Sequence, residues 1–322
     1  MHAEAFGVHC LCCRKIQSRR GIFVTKPMVR VTTRASRNGG HPSIQYFFGS
    51  NMNCKFELVS KRLLGALTFS AIGFASSAHA FAPLSTDDTG TQGRGGNQIE
   101  LGYVFERNTN LDTDLDNRVD ISETSSSIPL TYTYGLNDTV DASFGASRQL
   151  TQAKGWQNSE LGLKWNFYGD QSKGWSAAVK PILMIPVSKN MQADGLGSAR
   201  VNWGIALIGS YMSEDYEFHT NLKYNSNYLA NMAEMENERS HLWTFSVAPV
   251  WNISDQWKIG LDLGVQTNPG FDSRTEAFTQ LGVSYAPVEN LQIGFGVGYA
   301  QAMGSDSKAR GLSLATTMSY QF

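Results

Sequence analysis

The sequence predicts an all-β fold: a transmembrane up-and-down antiparallel β-barrel of about 12 strands. Three observations lead to this prediction. Apolar and polar residues alternate with period two at the end of the chain, and the same alternation recurs in eleven earlier segments. An apolar run with the features of a secretory signal precedes all of them. Period-two alternation indicates strands with one apolar and one polar face.

The terminal strand, Arg310 to Phe322, carries the strongest signal. Counting back from Phe322 in steps of two, five of six positions are apolar or aromatic, and the residues between them are small or polar. A strand that ends the chain on an aromatic residue resembles the closing strand of a bacterial outer-membrane barrel. Such barrels have an even number of strands. The earlier part of the chain must therefore contain an odd number of segments with the same alternation.

With the eleven earlier segments the count reaches twelve. Extended to their turn residues, the segments run for about 9–13 residues, enough to cross a bilayer at a tilt. They are centred on 99–105, 128–134, 140–146, 161–167, 175–187, 201–207, 216–224, 243–251, 257–265, 277–285, 291–299 and 310–322. Short connections rich in turn residues alternate with longer ones, notably 107–119 and 225–240, as in barrels with short periplasmic turns and long external loops.

A large soluble β-sandwich or a lipocalin-like barrel is the alternative, with the apolar face turned to a core. Aromatic residues crowd the strand ends, as in the interfacial girdles of membrane barrels, and so favour the transmembrane barrel. They are Trp165, Trp175, Trp203, Trp243, Trp251, Trp257, Tyr285 and Tyr299.

Charge divides the chain at about residue 80. Residues 1–80 hold 11 of the 27 Lys and Arg residues but only two of the 28 acids, a net charge of +9, so residues 81–322 carry −10. This acidic remainder lacks the basic footprint that nucleic-acid binding requires. All four cysteines also precede residue 81, which excludes disulfides and cysteine-bound metal from the rest of the chain.

Residues 52–80 have the three parts of a secretory signal. Lys55, Lys61 and Arg62 form a positive region, Leu63 to Ala75 is apolar, and Ala78-His79-Ala80 predicts cleavage after Ala80. A transmembrane anchor is the alternative, but 13 apolar residues fall short of the roughly 20 that a spanning helix needs.

The signal sets the remaining boundaries. Residues 1–51 stand upstream of a segment that ordinarily begins a chain, so we interpret them as an artefact of the assigned start, with translation from Met52, or as a disordered extension. Residues 81–97 are rich in Gly, Thr and Asp and predict an irregular periplasmic lead-in, followed by the barrel over 98–322.

Polar residues of the inward face are the candidate functional residues. Near mid-height we expect seven lumen-lining side chains that contact a solute: Glu160, Lys164, Lys180, His219, Asn221, Asp262 and Gln280. Nearer the periplasm we expect Glu100, Asp141, Glu217 and Lys258. Mixed charge in a narrow lumen serves two purposes equally well: it tunes a path for a small solute, or it pairs across the lumen and closes it.

Enzymatic activity is not expected. Hydrolysis by a serine nucleophile needs a histidine and an orienting group within hydrogen-bond reach. Beyond residue 80 the chain has only His219 and His241, and neither lies in the His-x-Ser arrangement of the twelve-stranded outer-membrane phospholipases, although Ser240 precedes His241. No cofactor and no metal are predicted.

An acidic stretch, Asp112 to Glu123, approaches the spacing of a calcium loop, with Asn117 where glycine is usual. It lacks flanking helices. A solvated external loop, or one bridged to lipopolysaccharide through divalent ions, is therefore the preferred interpretation.

Three segments resemble the outer-membrane transporter family of the meta-pathway of phenol degradation. They are the run Pro83 to Gly93, the stretch Leu161-Gly162-Leu163-Lys164-Trp165 and the segment from Lys180-Pro181 to Pro186. The resemblance implies a β-barrel in the bacterial outer membrane for passive passage of a small solute, such as an aromatic compound like phenol. The alternative is a structural or adhesion barrel with a plugged lumen. Expected partners are outer-membrane lipids, lipopolysaccharide and the barrel assembly machinery, which would contact the strand ending in Phe322.

Overall fold

The alternating pattern of the sequence forms strands throughout the described chain. The computed structural model describes residues 83–112, 119–151, 153–230, 238–270, 274–304 and 309–322. The predicted segments 1–51 and 52–80, with the cleavage site after Ala80, lie outside these residues. Within the described ranges, no helix has the length and apolar character needed to cross a membrane.

All twelve predicted strands are present in these ranges, together with one two-residue strand, β4, and one short helix, α1. The bounds are β1 (Asn97–Asp112), β2 (Val119–Asn137), β3 (Val140–Gln149), β4 (Gly155–Trp156), β5 (Ser159–Asp170), β6 (Lys173–Ile185), α1 (Lys189–Ala193), β7 (Asn202–Met212), β8 (Tyr216–Ser226), β9 (His241–Asn252), β10 (Trp257–Thr267), β11 (Thr275–Val288), β12 (Leu291–Met303) and β13 (Arg310–Gln321).

Hydrogen bonding closes these strands into a barrel. Each strand pairs antiparallel with the next along the chain, except that β4 pairs only with the end of β3, which also pairs with β5. The first and last strands pair from Gln98↔Gln321 to Thr109↔Arg310 and so complete the ring. Asn97 and Phe322 exchange two backbone hydrogen bonds of 3.0 Å at its edge. The predicted transmembrane up-and-down barrel of twelve strands is confirmed.

The outer surface of the barrel is a continuous apolar band. Leu281, Leu261 and Val297 are paired at mid-height on neighbouring strands, and Leu281 is 53% exposed. Residues of the intervening register, such as Asp262 paired with Gln280, are buried inside. An exposed apolar surface that encircles the whole fold is stable only against lipid, because a soluble monomer rarely exposes apolar patches beyond a few hundred Å².

Aromatic side chains mark the two borders of this band. At one border Trp257 stacks on Tyr285 with ring centroids 4.5 Å apart. At the other, Tyr224 contacts both Trp203 and Trp243 with centroids 5.0 Å apart. Amphipathic rings prefer the bilayer interface, so these residues fix the height of the barrel in the membrane.

Connections at the two ends differ in length. The end that holds Asn97 and Phe322, the turn end, carries the short turns at 138–139, 171–172, 213–215, 253–256 and 289–290. The opposite loop end carries the longer connections, including α1. The sequence analysis placed a long connection at 107–119, which is wrong in extent: β1 and β2 remain paired as far as Asp112↔Val119, because backbone pairing continues after the apolar alternation has stopped.

A charged residue on the outer face at mid-height should destabilise the barrel far more than the same residue at its border. Leu281→Arg places a guanidinium at the bilayer centre and should cost about 2–4 kcal/mol of unfolding free energy, against about 0–1 kcal/mol for Met303→Arg at the end of β12. Both side chains are about half exposed, 53% and 51%, so they form a matched pair. Urea unfolding of both variants in lipid vesicles measures the difference, and equal costs would contradict the placement of the membrane.

Candidate functional site

The inward face of the barrel is polar and lined mainly by small residues. Along β11, for example, Glu276, Gln280 and Ser284 are buried on this face. Phe278, paired with Gly264 near the loop end, is the one aromatic residue in the inward register of the described strands. Such a surface is stable when wet, or when other polar groups satisfy its hydrogen bonds.

Residues 83–96, here called the inner segment, run through this lumen. Leu84, Thr86, Asp87 and Thr89 are each at most 7% exposed, although the segment forms neither helix nor strand. The sequence analysis treated this stretch as a lead-in before the barrel. The segment has no alternation of apolar residues, so it cannot join the sheet without presenting apolar and polar groups to the wrong faces.

Glycines let the inner segment enter the lumen at the turn end. Gly93 and Gly95 have φ of 71° and 78°, a conformation that favours glycine. Gly135 exchanges backbone hydrogen bonds with Gly95 and Gly96, and a Cβ at Gly135 would collide with the backbone carbonyl of Gly93. The chain can therefore turn from β1 into the lumen only because these positions lack side chains.

Asp262 anchors the far part of the inner segment. Its Oδ2 accepts hydrogen bonds from the backbone N–H of Ser85 at 2.8 Å, from the Ser85 hydroxyl at 2.7 Å and from the N–H of Thr86 at 2.9 Å. Its Oδ1 accepts from the Thr86 hydroxyl at 2.7 Å. Nearby, the Gln280 amide donates to the carbonyl of Pro83 at 2.9 Å.

Two buried lysines hold the centre of the segment. Lys164 Nζ lies 3.5 Å from Asp87 Oδ1 and 3.6 Å from Asp88 Oδ1, and it donates to the Asp88 carbonyl at 3.1 Å. Lys180 Nζ lies 3.1 Å from Asp87 Oδ2. Asn221, with its amide oriented to satisfy both atoms, donates to the Asp87 carbonyl at 2.9 Å and accepts from the Asp87 N–H.

The part nearest the turn end is held by neutral groups and one acid. Thr89 contacts Ser176 between hydroxyl oxygens 2.5 Å apart, and its carbonyl accepts from the Asn166 amide at 3.1 Å. Asp141 accepts from the N–H of Gln92 with both carboxylate oxygens, at 3.1 and 3.0 Å. The inner segment thus crosses from the β3 and β5 side of the lumen to the β10 and β11 side.

A serine, a histidine and a glutamate meet beside the segment. Strand pairing places Ser210 opposite His219, with Oγ and Nδ1 2.9 Å apart, and His219 Nε2 lies 3.3 Å from Glu217 Oε2. Lys258 pairs with the other oxygen of Glu217 at 2.6 Å. Ser210 is fully buried and accepts from the N–H of Thr89 at 3.1 Å, so the group fastens the inner segment.

The structure brings six of the seven predicted lumen residues against the inner segment or its supports. Five contact it directly: Lys164, Lys180, Asn221, Asp262 and Gln280. His219 acts through Ser210. Glu160 is half-buried near the loop end, where it borders, with Lys180 and Gly162, a cavity of about 10 Å³, room for about one water molecule. Their role in contacting a solute stays a prediction.

The sequence analysis missed the partners of these residues. Asp87 and Asp88 belong to a stretch with no strand pattern, and Ser210 is nine residues from the histidine it contacts. The available signal was the adjacent acid pair Asp87-Asp88 itself, in a Thr-rich stretch that precedes strands with inward lysines. Within the described ranges, no three His, Cys, Asp or Glu side chains are placed to hold a metal ion. Most of the acidic stretch Asp112 to Glu123 lies outside the described side chains.

Comparison with solved structures finds barrels of similar architecture at low sequence identity. The crystal structure of an outer membrane channel from Pseudomonas putida F1 has 15% identity and a TM-score of 0.50, covering 73% of this chain and 98% of that chain. The NanC porin has 9% identity and a TM-score of 0.48, covering 70% and 98%. The TodX monoaromatic hydrocarbon channel has 9% and 0.43, covering 73% and 92%. Among curated proteins, none matches the sequence.

The sequence itself matches one family model over residues 77–316, a range that includes the inner segment and reaches into the last strand. This range covers more than half of the chain, and it contains the residues on which the resemblance to the phenol-degradation transporters was based. The chain therefore belongs to the family described as "Putative MetA-pathway of phenol degradation".

Proposed function

We propose that the protein is a channel of the bacterial outer membrane that passes a small solute passively, and that the inner segment closes it at rest. The barrel fold, its apolar outer band and its polar interior support a pathway through the lumen. A barrel of the same fold is named an outer membrane channel. The proposal includes export by a signal within residues 52–80, cleaved after Ala80.

The polar contacts that hold the inner segment are the main support for this proposal. Hydrogen bonds and ion pairs to the lumen wall make up most of its anchors, and its apolar contribution is small: Leu84 packs on Ala248 and Val250. The backbone pairing that closes the barrel joins β1 directly to β13, and the segment supplies none of these paired residues. Withdrawal of the segment would exchange polar contacts for water at little hydrophobic cost, as suits a gate and not a structural core.

The alternative is a structural or adhesion barrel whose loops do the work. A filled lumen is the observation that favours it, since the inner segment occupies the barrel at mid-height and the cavity beside Lys180 has room for only about one water molecule. The two functions differ in one respect that can be measured: only a channel requires the inner segment to withdraw from the lumen.

Membership of the family makes aromatic compounds such as phenol the first solutes to test. The channel needs neither a catalytic residue nor a cofactor, because passage is passive. Its proposed partners are the lipids and lipopolysaccharide that face the apolar band, and the barrel assembly machinery, which would contact β13 with its terminal Phe322 before β13 pairs with β1.

A disulfide between the inner segment and the wall should lock the channel shut. The hydroxyl oxygens of Thr89 and Ser176 are 2.5 Å apart, so cysteines at both positions meet the distance requirement of a disulfide with little movement. In planar bilayers we expect Thr89→Cys/Ser176→Cys to show no openings when oxidised and discrete openings after reduction with dithiothreitol.

The single-cysteine variants are the matched controls, and redox conditions should not change their conductance. Folding of every sample is checked by heat-modifiable gel mobility. Openings of equal size and frequency in the oxidised and reduced double variant would refute gating by the inner segment. Folded protein that is silent in both states would favour the structural barrel.

Removal of the Asp262 anchor should expose the inner segment. On a Leu84→Cys background, Asp262→Ala should increase the rate of labelling by a membrane-impermeant maleimide at least tenfold. Loss of even one hydrogen bond to a charged group costs about 1.5–3 kcal/mol, and tenfold corresponds to about 1.4 kcal/mol. Asp255→Ala, which removes an exposed acid from the β9–β10 turn, is the control and should leave the rate unchanged. An unchanged rate in Asp262→Ala would show that this anchor does not hold the segment.

A further inference from the structure

The grip of two lysines on Asp87 has the geometry of a carboxylate-binding site. Lys164 and Lys180, here called the lysine clamp, approach different oxygens of the same carboxylate, Oδ1 at 3.5 Å and Oδ2 at 3.1 Å. They project from neighbouring strands, β5 and β6, whose backbone pairing holds their positions. We propose that the lysine clamp is the solute site of the channel, that its ligands are organic carboxylates, and that Asp87 occupies it as a built-in competitor.

Because the two lysines of the clamp are buried, their ammonium groups need an anionic partner. The side chains of Lys164 and Lys180 are 1% and 6% exposed, so both ammonium groups are largely removed from water. A buried charge is costly unless it is paired and hydrogen-bonded, and charge-assisted hydrogen bonds to a carboxylate are among the strongest available. When the inner segment withdraws, a solute carboxylate can replace both oxygens of Asp87.

Asp141 and Glu160 of the wall do not share the bridging position of Asp87, whereas Glu100 on β1 lies within electrostatic reach of Asp87 and of both lysines. Asp141 faces Lys164 across the β3–β5 pair, but its two oxygens accept from the Gln92 N–H at the turn end. Glu160 lies four residues before Lys164 on the same face of β5, towards the loop end. Asp87 joins both ammonium groups, and it comes from the inner segment, which is not part of the barrel wall.

Two neighbouring features refine the class of ligand. Asn221 contacts both backbone groups of Asp87 with its amide, so it offers a donor and an acceptor to a second polar group beside the carboxylate. The inward face of the described strands carries only one aromatic side chain, Phe278, and it lies towards the loop end. Recognition at the clamp therefore depends on the charge of the solute, and carboxylated aromatic compounds fit better than neutral phenol.

This inference rests on the proposed channel, and direct binding separates the two. Asp87→Asn/Asp88→Asn removes the competing carboxylates while keeping the shape of the inner segment. By calorimetric titration of the full chain purified in detergent, we expect benzoate to bind this variant with a Kd at least tenfold lower than that of the wild type. Benzamide, the uncharged analogue, should not bind.

Lysine variants on the same background identify the site. Adding Lys164→Met/Lys180→Met should raise the Kd for benzoate at least tenfold, whereas adding Lys173→Met, which removes an exposed lysine at the start of β6, should leave it within twofold. Where the double methionine variant lacks heat-modifiable mobility, Lys180→Gln alone replaces it. Equal binding of benzamide, or an unchanged Kd in the clamp variants, would overturn the inference.

Conductance then distinguishes the two proposals. One outcome is that Asp87→Asn/Asp88→Asn binds benzoate but the barrel shows no openings when the inner segment is released. This result would refute the channel and leave the lysine clamp as a binding site. The opposite outcome is that openings appear when the segment is released but the same variant does not bind benzoate. This result would refute the lysine clamp as a solute site and support the channel. Concentration-dependent block of the openings by benzoate, lost in the clamp variants, is the expected result.

Discussion

Two lysine ammonium groups inside a closed barrel are the constraint on which the interior depends. A lysine in a lumen wall can remain in water or can be paired; Lys164 and Lys180 are paired, and the partner is Asp87. This pairing draws an irregular stretch of chain to mid-height. The Asp262 anchor and the Ser210–His219–Glu217 group then hold the same stretch on its two sides. Most of the inward polar residues that the sequence analysis assigned to the lumen thus hold the inner segment.

The chemistry of these contacts also separates a gate from a core. A core is stabilised by the burial of apolar area. Opening the core exposes that area to water again, at a large cost in free energy. The inner segment buries little apolar area. Hydrogen bonds to water or to an ionic solute can replace its polar contacts at a similar free energy. A polar plug inside a complete barrel can therefore be both well ordered and exchangeable. The barrel wall is the opposite case, since each of its backbone hydrogen bonds must persist in lipid.

Much of the fold could be predicted because a membrane barrel imposes one rule on every strand. Outward residues must be apolar and inward residues may be polar, so twelve segments carried the same period-two signal, and their centres matched the observed strands. The rule stops at the border of the membrane, which explains why the extension of β1 and β2 to Asp112 and Val119 was missed. Pairing there is a property of the backbone and leaves no hydrophobic pattern.

Alternation along the chain is enough to predict the strands, their inward and outward faces and the polar residues of the lumen, because each is a local property. The contacts of those polar residues depend on the folded barrel. Asp87 meets Lys164 across 77 positions of sequence, and Thr86 meets Asp262 across 176. No local pattern encodes such pairs: the inner segment has no periodicity, and its course follows from closure of the ring and from the charges that the closed ring leaves buried.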